Sequence, residues 1–87
     1  MNLTIIDASM TYNEEDGYIG KVHFRAEGDR EPYEITLHSK KGKDWMYSLN
    51  YLHGHGKEEE MFRMEERLEE DDELFDFLVE TAKNALA

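Results

Sequence analysis

The chain contains no cysteine, a single proline (Pro32), and no apolar run approaching the ~18 residues of a membrane-spanning helix. Lack of cysteine excludes disulfide staples, thiolate zinc sites, iron–sulfur clusters and cysteine nucleophiles. A secreted domain of 87 residues commonly depends on bridges, so their absence points to a reducing compartment and a cytoplasmic location is expected. The opening residues Met1, Asn2, Leu3, Thr4, Ile5, Ile6 and Asp7 offer no basic region and only a short apolar run, which does not read as a signal peptide. No membrane association is expected.

Positive charge is also scarce. Ten Lys and Arg stand against 21 Asp and Glu, for a net charge of −11. The imbalance is uneven: residues 1–56 hold nine acids and six bases, whereas residues 57–87 hold twelve and four. Such a field repels nucleic-acid phosphates and anionic lipid, so direct nucleic-acid binding is not expected. A basic protein partner suits it, although solubility alone would also account for acidic surface.

What is present is a change of period. Over the first fifty residues apolar and polar side chains alternate, which predicts four strands near 3–12, 18–27, 33–40 and 45–52. Polar turns at 13–17, 28–32 and 40–44 separate them, each containing a glycine. Short connections between consecutive strands imply an antiparallel meander. Setting Tyr12 opposite Tyr18 places Met10 against Gly20, Ala8 against Val22 and Ile6 against Phe24. Setting Phe24 opposite Ile35 places Ala26 against Tyr33, and Leu37 opposite Tyr47 places Tyr33 against Tyr51. All three hairpins then share one inner face holding the five tyrosines, Trp45 and Phe24. A slip of one residue would expose that whole set. The opposite face is polar, interrupted by Leu3, Ile5, Ile19 and Met46.

After a flexible connector at 53–57 the period becomes helical. Met61, Met64, Leu68, Phe75, Leu78, Val79, Ala82 and Leu86 recur mostly at spacings of three and four. Glu58, Glu59 and Glu60 suit the positive end of a helix dipole. The apolar stripe lapses at the acidic run 69–73, where Asp71 or Asp72 fits an N-cap. The expected fold is therefore α+β: one domain over 1–87, with a sheet at 1–52, the connector, and a helical segment at 58–87. That segment would comprise a first helix near 58–69, a break at 70–72 and a main helix at 73–86 on the aromatic face.

Several side-chain groupings invite chemistry. His53 and His55 have a spacing that ligates metal when held on a strand, with Glu58, Glu59 and Glu60 close behind. The adjacent glycines make the connector a costly scaffold for ligands, so no metal or other cofactor is expected. On the polar face Asp7 is expected opposite His23, Arg25 opposite Glu34 and Lys21 opposite His38. Asp7, His23 and Ser9 resemble a triad in composition, yet an open sheet face provides no oxyanion donors, and cross-strand charge pairing explains them. No catalytic residue is assigned. The lysines at 40, 41 and 43 lack the spacing of a phosphate-binding loop.

The acidic helical face, with Glu59, Glu66, Glu69, Glu70, Glu73, Asp76 and Glu80, permits mimicry of nucleic-acid phosphates. Arg63 and Arg67 sit within it, and ordinary i,i+4 pairing on a solvated face is the more usual explanation. The leading expectation is a non-enzymatic protein-interaction or regulatory module that forms a homodimer. Its expected contact residues are Met61, Met64, Leu68 and Trp45: one main helix is little cover for so large an aromatic face, so either the 58–69 segment folds over the remainder or a second copy does. An acidic inhibitor that mimics nucleic acid is the alternative, and weak metal binding through His53 and His55 a third.

Overall fold

Alternating side chains turn the first fifty residues into β1 (Leu3–Asn13), β2 (Gly17–Ala26), β3 (Tyr33–Ser39) and β4 (Met46–Tyr51), followed by α1 (Glu58–Glu70) and α2 (Asp72–Lys83). The computed structural model describes residues 2–86. The strands form one antiparallel sheet in the order β1-β2-β3-β4, and both helices pack on its inner face. The architecture is the expected α+β meander with a C-terminal helical layer. No described helix is long and apolar enough to cross a membrane.

Two of the three registers need correction, for different reasons. From Ala8 to Asn13, β1 pairs with β2 as expected. Between Ile5 and Asp7 the register shifts, so that Ile5, not Ile6, faces Phe24. The extra residue is a bulge, which reverses the facing of everything before it. Leu3 and Ile5 thus turn inward onto the core, and Ile6 is left 48% exposed on the outer side. In the second hairpin Phe24 faces Tyr33, and Val22 faces Ile35, two residues from the expected pairing. A two-residue slip preserves every side chain's face, so periodicity could not detect it. Local chemistry selects the observed register. Gly28 adopts φ +91° in a turn closed by the Asp29 amide on the Ala26 carbonyl (3.1 Å), and the Tyr33 hydroxyl donates to Asp29 Oδ2 at 2.6 Å. Tyr33 then stacks between Phe24 and Tyr51, with centroids 5.4 and 5.2 Å away. The β3–β4 register is as expected.

The core comprises Val22, Phe24, Tyr33, Ile35 and Leu37 from the two central strands, closed by Met64 and Leu68 of α1 and Leu74, Leu78, Val79 and Ala82 of α2. α1 lies against β4, and α2 lies against β1 and β2. The expected break falls at Asp71, whose carboxylate accepts from the Leu74 amide at 3.1 Å and caps α2. The helices are nearly equal, 13 and 12 residues, and the second ends at Lys83 rather than at 86. There is no single main helix. The two share the cover of the inner face, on which Tyr12 remains 52% exposed.

At one end of the sheet the β1–β2 and β3–β4 turns touch. His38 Nε2 donates to the Asp16 carbonyl at 2.8 Å, and Lys40 Nζ donates to that of Glu15. Gly17, at φ +78°, lies so close that a Cβ there would come within 2.6 Å of the Ser39 carbonyl oxygen. Only glycine fits that crossing.

Candidate interaction surface

Elsewhere the polar side chains expected to do chemistry are held apart or already partnered. Asp7 faces His23 as expected, but the register of β3 brings Glu34 to the other side of that histidine, and His23 Nε2 lies 2.9 Å from Glu34 Oε2. Arg25 therefore does not face Glu34, and Lys21 faces Thr36 instead of His38, which lies opposite Ile19 and Met46. Ser9 is opposite Lys21 and takes no part in a triad. His53 and His55 are exposed, with His55 Nδ1 3.1 Å from the His53 carbonyl. Among the described residues no three of His, Asp and Glu are gathered around a point where a metal ion could sit. In the lysine-bearing turn the Gly42 amide donates to Ser39 Oγ at 2.8 Å.

The expected contact residues divide. Met64 and Leu68 are buried in the chain's own core and present nothing to a partner. Trp45 is half-buried, its ring 6.1 Å from that of Tyr18. Met61 is half-buried and lines an open groove of about 420 Å³ with Tyr51, Phe62, Glu58, Glu65 and the connector glycines. The connector is shaped around this groove. The Tyr51 hydroxyl donates to the Lys57 carbonyl, and any Cβ at Gly56 would strike the Tyr51 ring.

Phe62 is the residue that sequence reasoning passed over. It is 66% exposed on α1, with Glu58 and Glu59 one turn before it and Glu65 and Glu66 one turn after. Phe77 of α2 repeats the arrangement with Glu73 and Glu80 at the same spacings. The signal was available: an aromatic residue one position off the apolar stripe, ringed by carboxylates at three and four residues' distance. The stripe's own regularity hid it, since Phe62 reads as a neighbour of Met61.

Carboxylates and aromatic rings are also joined from below. Tyr47 donates to Glu69 Oε1 at 3.0 Å, and its phenol is pushed up to about 12 by burial, by that bond and by the negative charges of Glu69 and Glu65. Burial likewise raises Tyr51. Tyr33 is raised furthest, first by burial and then by its bond to Asp29, and its hydroxyl also reaches the Glu60 carbonyl at 3.2 Å. Glu60 is itself buried, where its Oε1 accepts from the Arg30 amide at 3.1 Å. α1 is thus tied at its N-terminal end to the β2–β3 turn, and Arg63 approaches Asp29 within 3.7 Å.

The two edges of the sheet differ. β1 carries a charge (Asp7), the bulge at Ile6 and a parallel bridge from Met10 to Leu86, all of which blunt an edge. β4 reads Met-Tyr-Ser-Leu-Asn-Tyr, without charge, proline or register shift, and Met46 is 67% exposed. The chain matches no family model, no curated protein and no solved structure. Its function must therefore be read from this surface.

Proposed function

We propose that this chain is a protein-interaction module that acts by binding rather than catalysis, and that its acidic helical layer receives a basic partner. The observation that supports this reading best is Phe62, held out to solvent at the centre of four glutamates. The ring continues the apolar lining that Met61 and Tyr51 give the groove, and burying it on a partner would contribute about 1.5–3 kcal/mol. Glutamates around it select a partner carrying Lys or Arg and steer its approach. On the other side of the sheet, His23 pairs with Glu34 and faces Asp7 across the strands, which is what an exposed sheet does for its own stability.

Mimicry of nucleic acid remains the second reading because α1, α2 and Asp71 between them hold twelve acidic residues against three basic ones. It would use the carboxylates and leave Phe62 idle. Homodimerisation is a weaker reading, because α1 covers part of the aromatic face that a single helix would leave open, while Tyr12 stays 52% exposed there.

Affinity capture from native cytosol with three baits separates these readings: the wild type, Phe62→Ala, and Glu65→Lys/Glu69→Lys. A stoichiometric basic protein retained by the wild type and lost from both variants is the expected result. A partner lost only on charge reversal would favour mimicry, and identical capture by all three would overturn the interaction reading.

A further inference from the structure

The hydrogen-bond parity of β4 can be worked out from its end. The Leu52 amide donates to the Pro32 carbonyl at 2.9 Å, continuing the β3–β4 register by one pair. Antiparallel pairs alternate between those that exchange hydrogen bonds and those that do not. Counting back, Asn50, Ser48 and Met46 turn their backbone groups toward β3, while Tyr51, Leu49 and Tyr47 turn theirs outward. The Tyr51 carbonyl is taken by the Gly54 amide at 3.0 Å. Three amides, those of Tyr47, Leu49 and Tyr51, and the carbonyls of Tyr47 and Leu49 then face away from the sheet. Among the described residues no strand pairs with them.

The ground beside this edge is acidic along its length. Glu58, Glu65 and Glu69 stand seven and four residues apart, on one face of α1. Glu58 and Glu65 line the groove at the Tyr51 end, and Glu69 holds the Tyr47 hydroxyl at the other. Met61, Tyr51 and the exposed Phe62 give the groove its apolar lining.

We propose that the β4 edge accepts an extended segment of a partner protein as an added strand, with Lys or Arg facing Glu58, Glu65 and Glu69 and an apolar side chain in the groove beside Phe62. The inference rests on the reading of the chain as a binding module and adds the mode of recognition. Backbone pairing provides the attachment and alternate side chains the selectivity, as in strand addition generally. Charge decides the occupant. Two copies of this chain paired through β4 about a twofold axis would bring both glutamate rows to the same side of the joint sheet, whereas a basic strand neutralises the row.

The test is amide exchange of the isotope-labelled chain, followed by NMR, with a blocked peptide alternating lysine and valine around a central phenylalanine. A control peptide has glutamate in place of lysine. The amides of Tyr47, Leu49 and Tyr51 should slow by about tenfold or more at saturation with the lysine peptide, while Ser48 and Asn50, already in the ladder, should not change. The glutamate peptide should leave all five unchanged, and Phe62→Ala should weaken binding of the lysine peptide by about tenfold or more. Perturbation confined to α1, with the three β4 amides still exchanging freely, would overturn strand addition and leave the interaction reading standing. Protection of the three amides by rising protein concentration alone would also overturn it, since the occupant would then be a second copy. Failure of the lysine peptide to perturb any amide would overturn it too, and capture by the wild-type bait would still decide the broader reading.

Discussion

Phe24 and His23 are neighbours in the chain and opposites in the fold. Phe24 is fully buried against Tyr33, whereas His23 is half-exposed beside Glu34. Phe24→Ala should therefore cost about 3–5 kcal/mol in chemical denaturation, and His23→Ala about 1 kcal/mol or less. Equal midpoints for the two would contradict the facing of β2. The tyrosines make a second prediction. Tyr33 and Tyr47 keep their protons in the folded chain at pH values where the unfolded chain, with phenols near 10, loses them. Above pH 10 the unfolded state binds fewer protons than the native state, so stability must fall as pH rises. The stability these groups contribute is intact below 10 and is lost from 10 upward, with Tyr47 complete near 12. The slope is at most about 1.4 kcal/mol per pH unit for each tyrosine. Urea midpoints measured on either side of pH 10 should show the decline, and Tyr33→Phe should flatten it. A profile flat through this range would show the phenols to be free. At this scale Phe62 was legible only through the carboxylates three and four residues to either side of it, because the apolar stripe alone fixes the rotation of α1 against β4 only to within one residue.

Among the elements, the acidic break is the feature most legible in advance: no glycine or proline interrupts 58–83, yet the apolar stripe lapses at 69–73, where Asp71 or Asp72 fits a cap and Asp71 supplies it. Asp71→Ala should cost about 0.5–2 kcal/mol and Asp71→Asn should restore most of it, read from thermal or urea unfolding. No difference between the two variants would remove the cap from the account. The bulge in β1 gives a sharper comparison. Ile5 packs against the core and Ile6 does not, so Ile5→Ser should lower stability by about 1–3 kcal/mol and Ile6→Ser by about 0.5 kcal/mol or less. The opposite order is what unbroken alternation would give. Strand existence, strand order and the shared aromatic face were all readable from period two. The bulge was not, because Leu3, Ile5 and Ile6 are all apolar and support either facing. The β2–β3 register was not, because a slip of two keeps the pattern and only Gly28, Asp29 and the Tyr33 hydroxyl distinguish the alternatives. The two helices and the break between them were readable from the apolar stripe and its lapse at 69–73; the ties of α1 through Glu60 and Tyr33 were not, because they depend on where the β2–β3 turn falls.

For the molecule as a whole, charge and cover set the expectations. A chain of net charge −11 whose helices close their own sheet should repel its copies at low salt. Sedimentation at low ionic strength should show one chain per particle, and any association should strengthen with salt. Met64 is inside the core, so Met64→Asp should unfold the chain instead of releasing a partner, which circular dichroism would show directly. A folded Met64→Asp variant would mean that α1 leaves its sheet. The central claim is that the acidic layer binds through Phe62 as well as through its charge. The direct measurement is the dissociation constant of the captured basic partner for the wild type and for Phe62→Ala, each at low and at physiological salt. The account predicts about tenfold or greater weakening on losing the ring at both salt concentrations, beside a salt dependence common to both proteins. Equal affinities for wild type and Phe62→Ala, with salt sensitivity retained, would contradict it and leave the carboxylates alone to carry the contact.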